Sequence, residues 1–168
     1  MKKFIYLLGF VLISTSLFSQ NNFWEAISNK GIEWDERTVE PKQYESFVLD
    51  LDQLKESLKD APLFDYSVRA ISPVNMRFPI GGKEMENFQV FEISNFAPAL
   101  AARYPDIKSY KAISKKGSVV RFDISQFGFR GIINVVGQRT HIIEPMNQSA
   151  NQYMLFSKAD FELPEDAG

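Results

Sequence analysis

The chain has 168 residues, 19 Lys and Arg against 21 Asp and Glu, a single His and no Cys. That size suits one domain, and 45% hydrophobic with 24% charged residues is an ordinary globular balance. A formal charge of −2 gives no basic footprint for nucleic acid. The missing Cys excludes disulfides, thiolate nucleophiles, iron–sulfur clusters and Cys-ligated zinc.

Met1-Lys2-Lys3, the ten apolar residues Phe4 to Ile13 and the small residues from Ser14 to Ser19 form the three regions of a secretory signal peptide. Residues 1–19 are therefore expected to be removed on export. The mature chain is expected to be secreted or periplasmic, with no membrane segment after cleavage. Its remaining length can bury about 70% of the unfolded surface without disulfides.

Residues 20–43 are read as a short helix followed by connecting chain. Asn22 is placed to cap that helix, with Glu25 three residues on and Gly31 at its end. Residues 44–157 are read as the folded domain. Tyr44 to Leu49 is strand-like, and Asp50 then caps a helix with Leu51, Leu54 and Leu58 on one face, ended by Pro62. Val74 to Ile80 and Glu86 to Ile93 are predicted to pair around Gly81-Gly82, with Pro73 and Pro79 placing the first arm at an edge. Asn95 to Tyr104 is predicted as a helix entered through Pro98 and stopped by Pro105. Ile107 to Ile113, Val119 to Ile124, Phe129 to Val136, Arg139 to Ile143 and Tyr153 to Phe156 are predicted strands. A tight hairpin is expected at Gly137-Gln138. The fold class is α+β: seven or eight short, mainly antiparallel strands and two or three short helices in one domain. Residues 158–168, acidic with Pro164 and Gly168, are read as a linker or tail, as expected of an N-terminal piece of a longer protein.

Catalytic equipment is sparse. His141 is the only imidazole, alternates with Ile142, and has no G-x-S-x-G serine to serve. Arg121 and Asp123 share one strand face, where a charged ligand or a solvated surface pair are the alternatives. Asp50 and Asp52 point to different helix faces. Gly81-Gly82 lacks the strand–loop–helix setting and lysine spacing of a phosphate loop, and Asn147-Gln148-Ser149 is only a three-residue sequon.

One stretch is more specific. Glu92-Ile93-Ser94-Asn95-Phe96-Ala97-Pro98-Ala99-Leu100-Ala101-Ala102-Arg103-Tyr104-Pro105-Asp106-Ile107-Lys108-Ser109-Tyr110 resembles an element in the N-terminal propeptide-like domain of bacterial secreted reprolysin-like (adamalysin-type) zinc metallopeptidases. The order around it is similar too: Asp50 to Leu58, a hairpin, then Arg121-Phe122-Asp123, Gly128-Phe129 and Ile142-Ile143-Glu144-Pro145. The likeness spans roughly residues 44–157. The link between Tyr110 and Arg121 is shorter than in those relatives.

The resemblance implies a non-catalytic pro-domain that assists folding or secretion of a metallopeptidase in cis or in trans, or covers its active site. This chain contains no H-E-x-x-H, so no zinc site of its own is expected and zinc would belong only to a downstream peptidase domain. With no Cys, silencing of that zinc by a thiolate is closed. Phe96, Ala97, Pro98, Leu100, Arg103, Tyr104, Pro105, Ile107, Tyr110, Arg121 and Asp123 form the family-motif element. Of these, Phe96, Leu100, Tyr104 and Ile107 are expected in the core. A free-standing binding protein or protease inhibitor is the alternative, and a two-carboxylate hydrolase a remote one.

Overall fold

The computed structural model describes residues 22–30, 32, 41–67, 71–94, 96–147, 149 and 151–160. The signal-peptide reading of residues 1–19 and the tail from 161 onward lie outside them. Nine strands form one sheet: β1 (Trp24–Ile27), β2 (Glu45–Leu49), β3 (Asn75–Gly81), β4 (Glu84–Ile93), β5 (Lys108–Ser114), β6 (Val119–Ser125), β7 (Gly128–Asn134), β8 (Thr140–Asn147) and β9 (Gln152–Ser157). Helix α1 (Leu51–Leu58) follows β2, helix α2 (Pro98–Arg103) follows β4, and a 3₁₀ turn (Lys158–Asp160) follows β9. The fold class is the α+β, mainly antiparallel one expected from the sequence.

The strand order is β1-β2-β9-β8-β7-β6-β5-β4-β3, with every neighbouring pair antiparallel. Strands β3 to β9 are thus one continuous meander, and β2 returns to pair with β9. The sheet curls until its edges approach, with the Trp24 ring of β1 centred 6.5 Å from the Phe78 ring of β3. The seam is held from β2. Both Glu45 carboxylate oxygens accept from the β3–β4 turn, at 2.7 Å from the Gly82 N–H and 3.0 Å from the Lys83 N–H.

Alternation sends one face of each strand inward. Val120, Phe122 and Ile124 are buried while Arg121 and Asp123 between them are exposed. The enclosed space is filled by rings: Phe129 lies 5.1 Å from Trp24 and 5.0 Å from Phe122, and Trp24 lies 5.6 Å from Tyr153. Edge-to-face and offset contacts at these distances add to the burial of large apolar area. The interior is therefore a packed core. Helix α1 closes one end. Asp50 Oδ1 accepts from the Gln53 N–H at 3.0 Å, and Leu54 and Leu58 are wholly buried in the same core. The β5–β6 and β7–β8 turns lie at the opposite end, where the Val136 N–H donates to the Ser118 hydroxyl at 3.4 Å.

Four expectations change. The helix expected from Asn22 to Gly31 does not form: Trp24–Ile27 is strand β1, paired with β2. The local capping signals there lose to the burial of Trp24, which is 2% exposed and fits only if the segment is extended. The strand count is nine, because β1 adds one. The tight Gly137-Gln138 hairpin is a looser loop between Asn134 and Thr140, where the Gln138 N–H bonds to the Val135 carbonyl. The first residues of the expected tail, Lys158–Asp160, form the 3₁₀ turn, whose Asp160 carbonyl accepts from the Lys42 N–H.

Candidate functional site: an outer groove and an uncovered helix

The motif residues fall in three places. Ala97, Pro98, Leu100, Arg103, Tyr104, Pro105 and Ile107 lie in the β4–β5 connection around α2, with Phe96 just before them. Pro98 occupies the first turn as its fixed φ suggests, and the Tyr104 N–H bonds to the Leu100 carbonyl at the end of the helix. None of the helix residues is buried. Leu100 is 41%, Tyr104 43% and Ile107 37% exposed, and Phe96 is half-buried. The expectation that these four belong to the core is therefore wrong. The aromatic interior and α1 already fill the space that α2 would need, so its apolar side faces outward. Arg103 lies over the Tyr104 ring at 5.6 Å, which leaves the cation at the same surface. By strand direction, the exposed Phe127 of the β6–β7 turn, 57% accessible, sits at this same end of the sheet.

Arg121 and Asp123 stand elsewhere, on the outer wall, whereas Tyr110 turns into the core, 4% exposed with its ring stacked 5.0 Å from that of Phe122. Two segments cover that wall on either side. Pro62 to Phe64 runs beside β4, where the Glu92 N–H donates to the Pro62 carbonyl and the Phe64 N–H to the Glu92 carbonyl. This lays the Phe64 ring 5.3 Å from Phe91. On the other side Ile32 and Tyr44 pack on Ile142, Met146, Met154 and Phe156. Between them no described residue covers the faces of β6 and β7, and a groove of about 280 Å³ opens there. Its walls include Ile93, Arg121, Asp123, Arg130, Ile132 and Glu144.

Register explains the set. Asp123 stands opposite Arg130 and Arg121 opposite Ile132. Gly131 between the last two carries no side chain because a Cβ there would meet Phe129 at 3.0 Å and Phe122 at 3.2 Å, from the core side. The Ser109 hydroxyl donates to Asp123 Oδ1. Arg130 Nε lies 3.3 Å from Glu144 Oε2. Burial pushes the Glu144 carboxyl above its ordinary range, against the pull of Arg130. Burial, with the Glu92 carboxylate adding to it, pushes the Tyr110 phenol up to about 12. Lys111, directly opposite Arg121, turns away and sits 4.0 Å over the Phe64 ring and 5.2 Å over that of Tyr66. Arg121 itself makes no ion pair among the described residues.

Arg130 and Ile132 are absent from the motif reading, and Ile93 and Glu144 enter it only as parts of the wider resemblance, not as site residues. Arg130-Gly131-Ile132 repeats the i, i+2 spacing of Arg121-Phe122-Asp123, and that repeat is the one signal in the sequence that pointed to them. His141 is remote from this groove. It faces the inside of the sheet, where a Cβ on Gly81 would lie 2.7 Å from its Nε2, so the ring serves to pack the β3–β4 turn. Among the described residues no group of three or more His, Asp or Glu side chains is placed to hold a metal. The groove can bind charge but carries no nucleophile–base pair. No protein-family model, curated protein or solved structure matches the chain.

Proposed function

We propose that this chain is a non-catalytic, exported, propeptide-like domain that docks on a zinc metallopeptidase, in cis or in trans, and covers its cleft or assists its folding. The observation that carries the reading is the bare face of the motif element. Leu100, Tyr104 and Ile107 keep roughly two-fifths of their surface accessible, and the core cluster is built without them. An apolar helix left outside a filled core fits an interface better than it fits a solvated surface. The packed aromatic interior supports the same reading, since a solid core suits a scaffold that presents a surface.

Immunoblotting of cells and medium with an antibody against residues 21–168 tests this. A larger precursor trimmed to a fragment of about this mass supports the pro-domain reading. A single secreted species near 19.3 kDa less its signal means that the chain stands alone, and contradicts docking in cis. Capture of the same host's reprolysin-like peptidase by the purified protein then decides docking in trans.

A further inference from the structure

We propose that the outer groove of β6 and β7 is an anchoring site for an acidic side chain of a partner polypeptide, held by Arg121 and Arg130 with an apolar neighbour of that acid on Ile132. The inference deepens the docking function above and rests on it only for which protein supplies the acid.

The charged side chains lining the groove are Arg121 and Arg130 against Asp123 and Glu144, and which of them are already engaged decides the sign of the ligand. Both carboxylates are already engaged by groove neighbours, Asp123 accepting from the Ser109 hydroxyl and Glu144 ion-paired with Arg130. Arg130 meets Glu144 through Nε, which leaves its two terminal nitrogens without a partner among the described residues. Arg121 is wholly without an anionic partner among the described residues. A guanidinium with a free planar fork is suited to grip a carboxylate with two parallel hydrogen bonds.

The size and shape argue for a side chain of a polypeptide. About 280 Å³ lies at the small end of ligand pockets, too little for a large cofactor. Ile132 is 49% exposed beside the two guanidiniums, an apolar contact that a free inorganic anion would leave unused. The groove is open between the Phe64 and Tyr44 segments, so an extended chain can cross it. Asp123, Arg130 and Ile93 lie toward the end of the sheet where α2 projects, which lets one partner engage both surfaces.

The probes are acetyl-Leu-Glu-Leu-amide, its Leu-Gln-Leu counterpart and sodium acetate, titrated into ¹⁵N-labelled protein by NMR. The Glu peptide is expected to shift the Arg121 and Arg130 side-chain N–H signals and the Ile132 amide saturably, in the low-millimolar range typical of one anchored side chain. Arg121→Gln should weaken it at least fivefold, and Arg121→Lys should fall between. The Gln peptide and acetate should bind at least fivefold more weakly than the Glu peptide. An absent saturable shift, an unchanged affinity in Arg121→Gln, or acetate binding as tightly as the peptide would each overturn the proposal. Arg121 is exposed and unpaired, so its replacement leaves the fold intact, and the unshifted core signals verify this. The readout needs no peptidase: failure here leaves docking through α2 standing, and failure of that docking leaves this result standing.

Discussion

Replacing Gly128 by Ala tests the packing that closes the sheet. Gly128 has φ +88°, a left-handed conformation that costs an L-residue about 1–2 kcal/mol. The new Cβ would also lie 2.7 Å from Tyr153 Oη. Tyr153 is 1% exposed and wedged between Trp24 and Phe129, so its ring has little room to yield. Displacing it breaks the 3.2 Å bond from the Phe129 N–H and strands a buried donor, worth about 1–3 kcal/mol. Gly128→Ala should therefore lose about 2–5 kcal/mol in total. Gly137→Ala is the control: its φ is +76° and nothing lies within 4 Å of the new Cβ. Its backbone strain is partly offset by the reduced freedom of the unfolded chain, for a net loss of about 1 kcal/mol. Urea unfolding followed by tryptophan fluorescence measures both. Equal losses would refute the claim that Tyr153 is immovably packed.

Two further perturbations test the electrostatics. Tyr110 keeps its proton up to about pH 12 in the fold but releases it near 10 when unfolded. Between those values the unfolded chain binds fewer protons, so stability falls as pH rises, by up to about 2–3 kcal/mol for a two-unit shift. Burial of Tyr153 acts in the same direction. Tyr110→Phe should therefore unfold with a shallower alkaline decline than the parent in urea midpoints taken from pH 8 to 11. Parallel curves would show that the phenol is not desolvated. Glu45→Ala removes both acceptors for the Gly82 and Lys83 N–H groups and should cost about 1–2 kcal/mol, with faster amide exchange confined to the β3–β4 turn and β1. Uniformly faster exchange would mean that Glu45 does not latch the seam.

Elements whose signals are local were legible in the sequence. Asp50 caps α1 through Gln53 and Leu54 and Leu58 are buried, as the spacing and cap residue predict. Val120, Phe122 and Ile124 alternate inward as read. Strand β1 was misread because Asn22, Glu25 and Gly31 offer helix punctuation while the deciding force, Trp24 among Phe47, Phe129 and Tyr153, comes from strands far along the chain. Helix α2 was legible as an element, but its apolar spacing does not say whether this chain or another covers it. The groove was half legible. Arg121 and Asp123 share a face by alternation alone, whereas their meeting with Arg130, Ile132 and Glu144 depends on the β6–β7–β8 register, which no local pattern encodes.

The most direct test of the account is the affinity of the protein for the catalytic domain of its host's reprolysin-like metallopeptidase, measured alongside Leu100→Glu and Ile107→Glu. Both side chains are substantially exposed and outside the core cluster, so the variants should melt within a few degrees of the parent. The account predicts saturable binding by the parent and a loss of at least tenfold in each variant, because a charge is buried in an apolar interface. Binding that is equally tight in all three, or absent in the parent while the peptidase is active and folded, would contradict it.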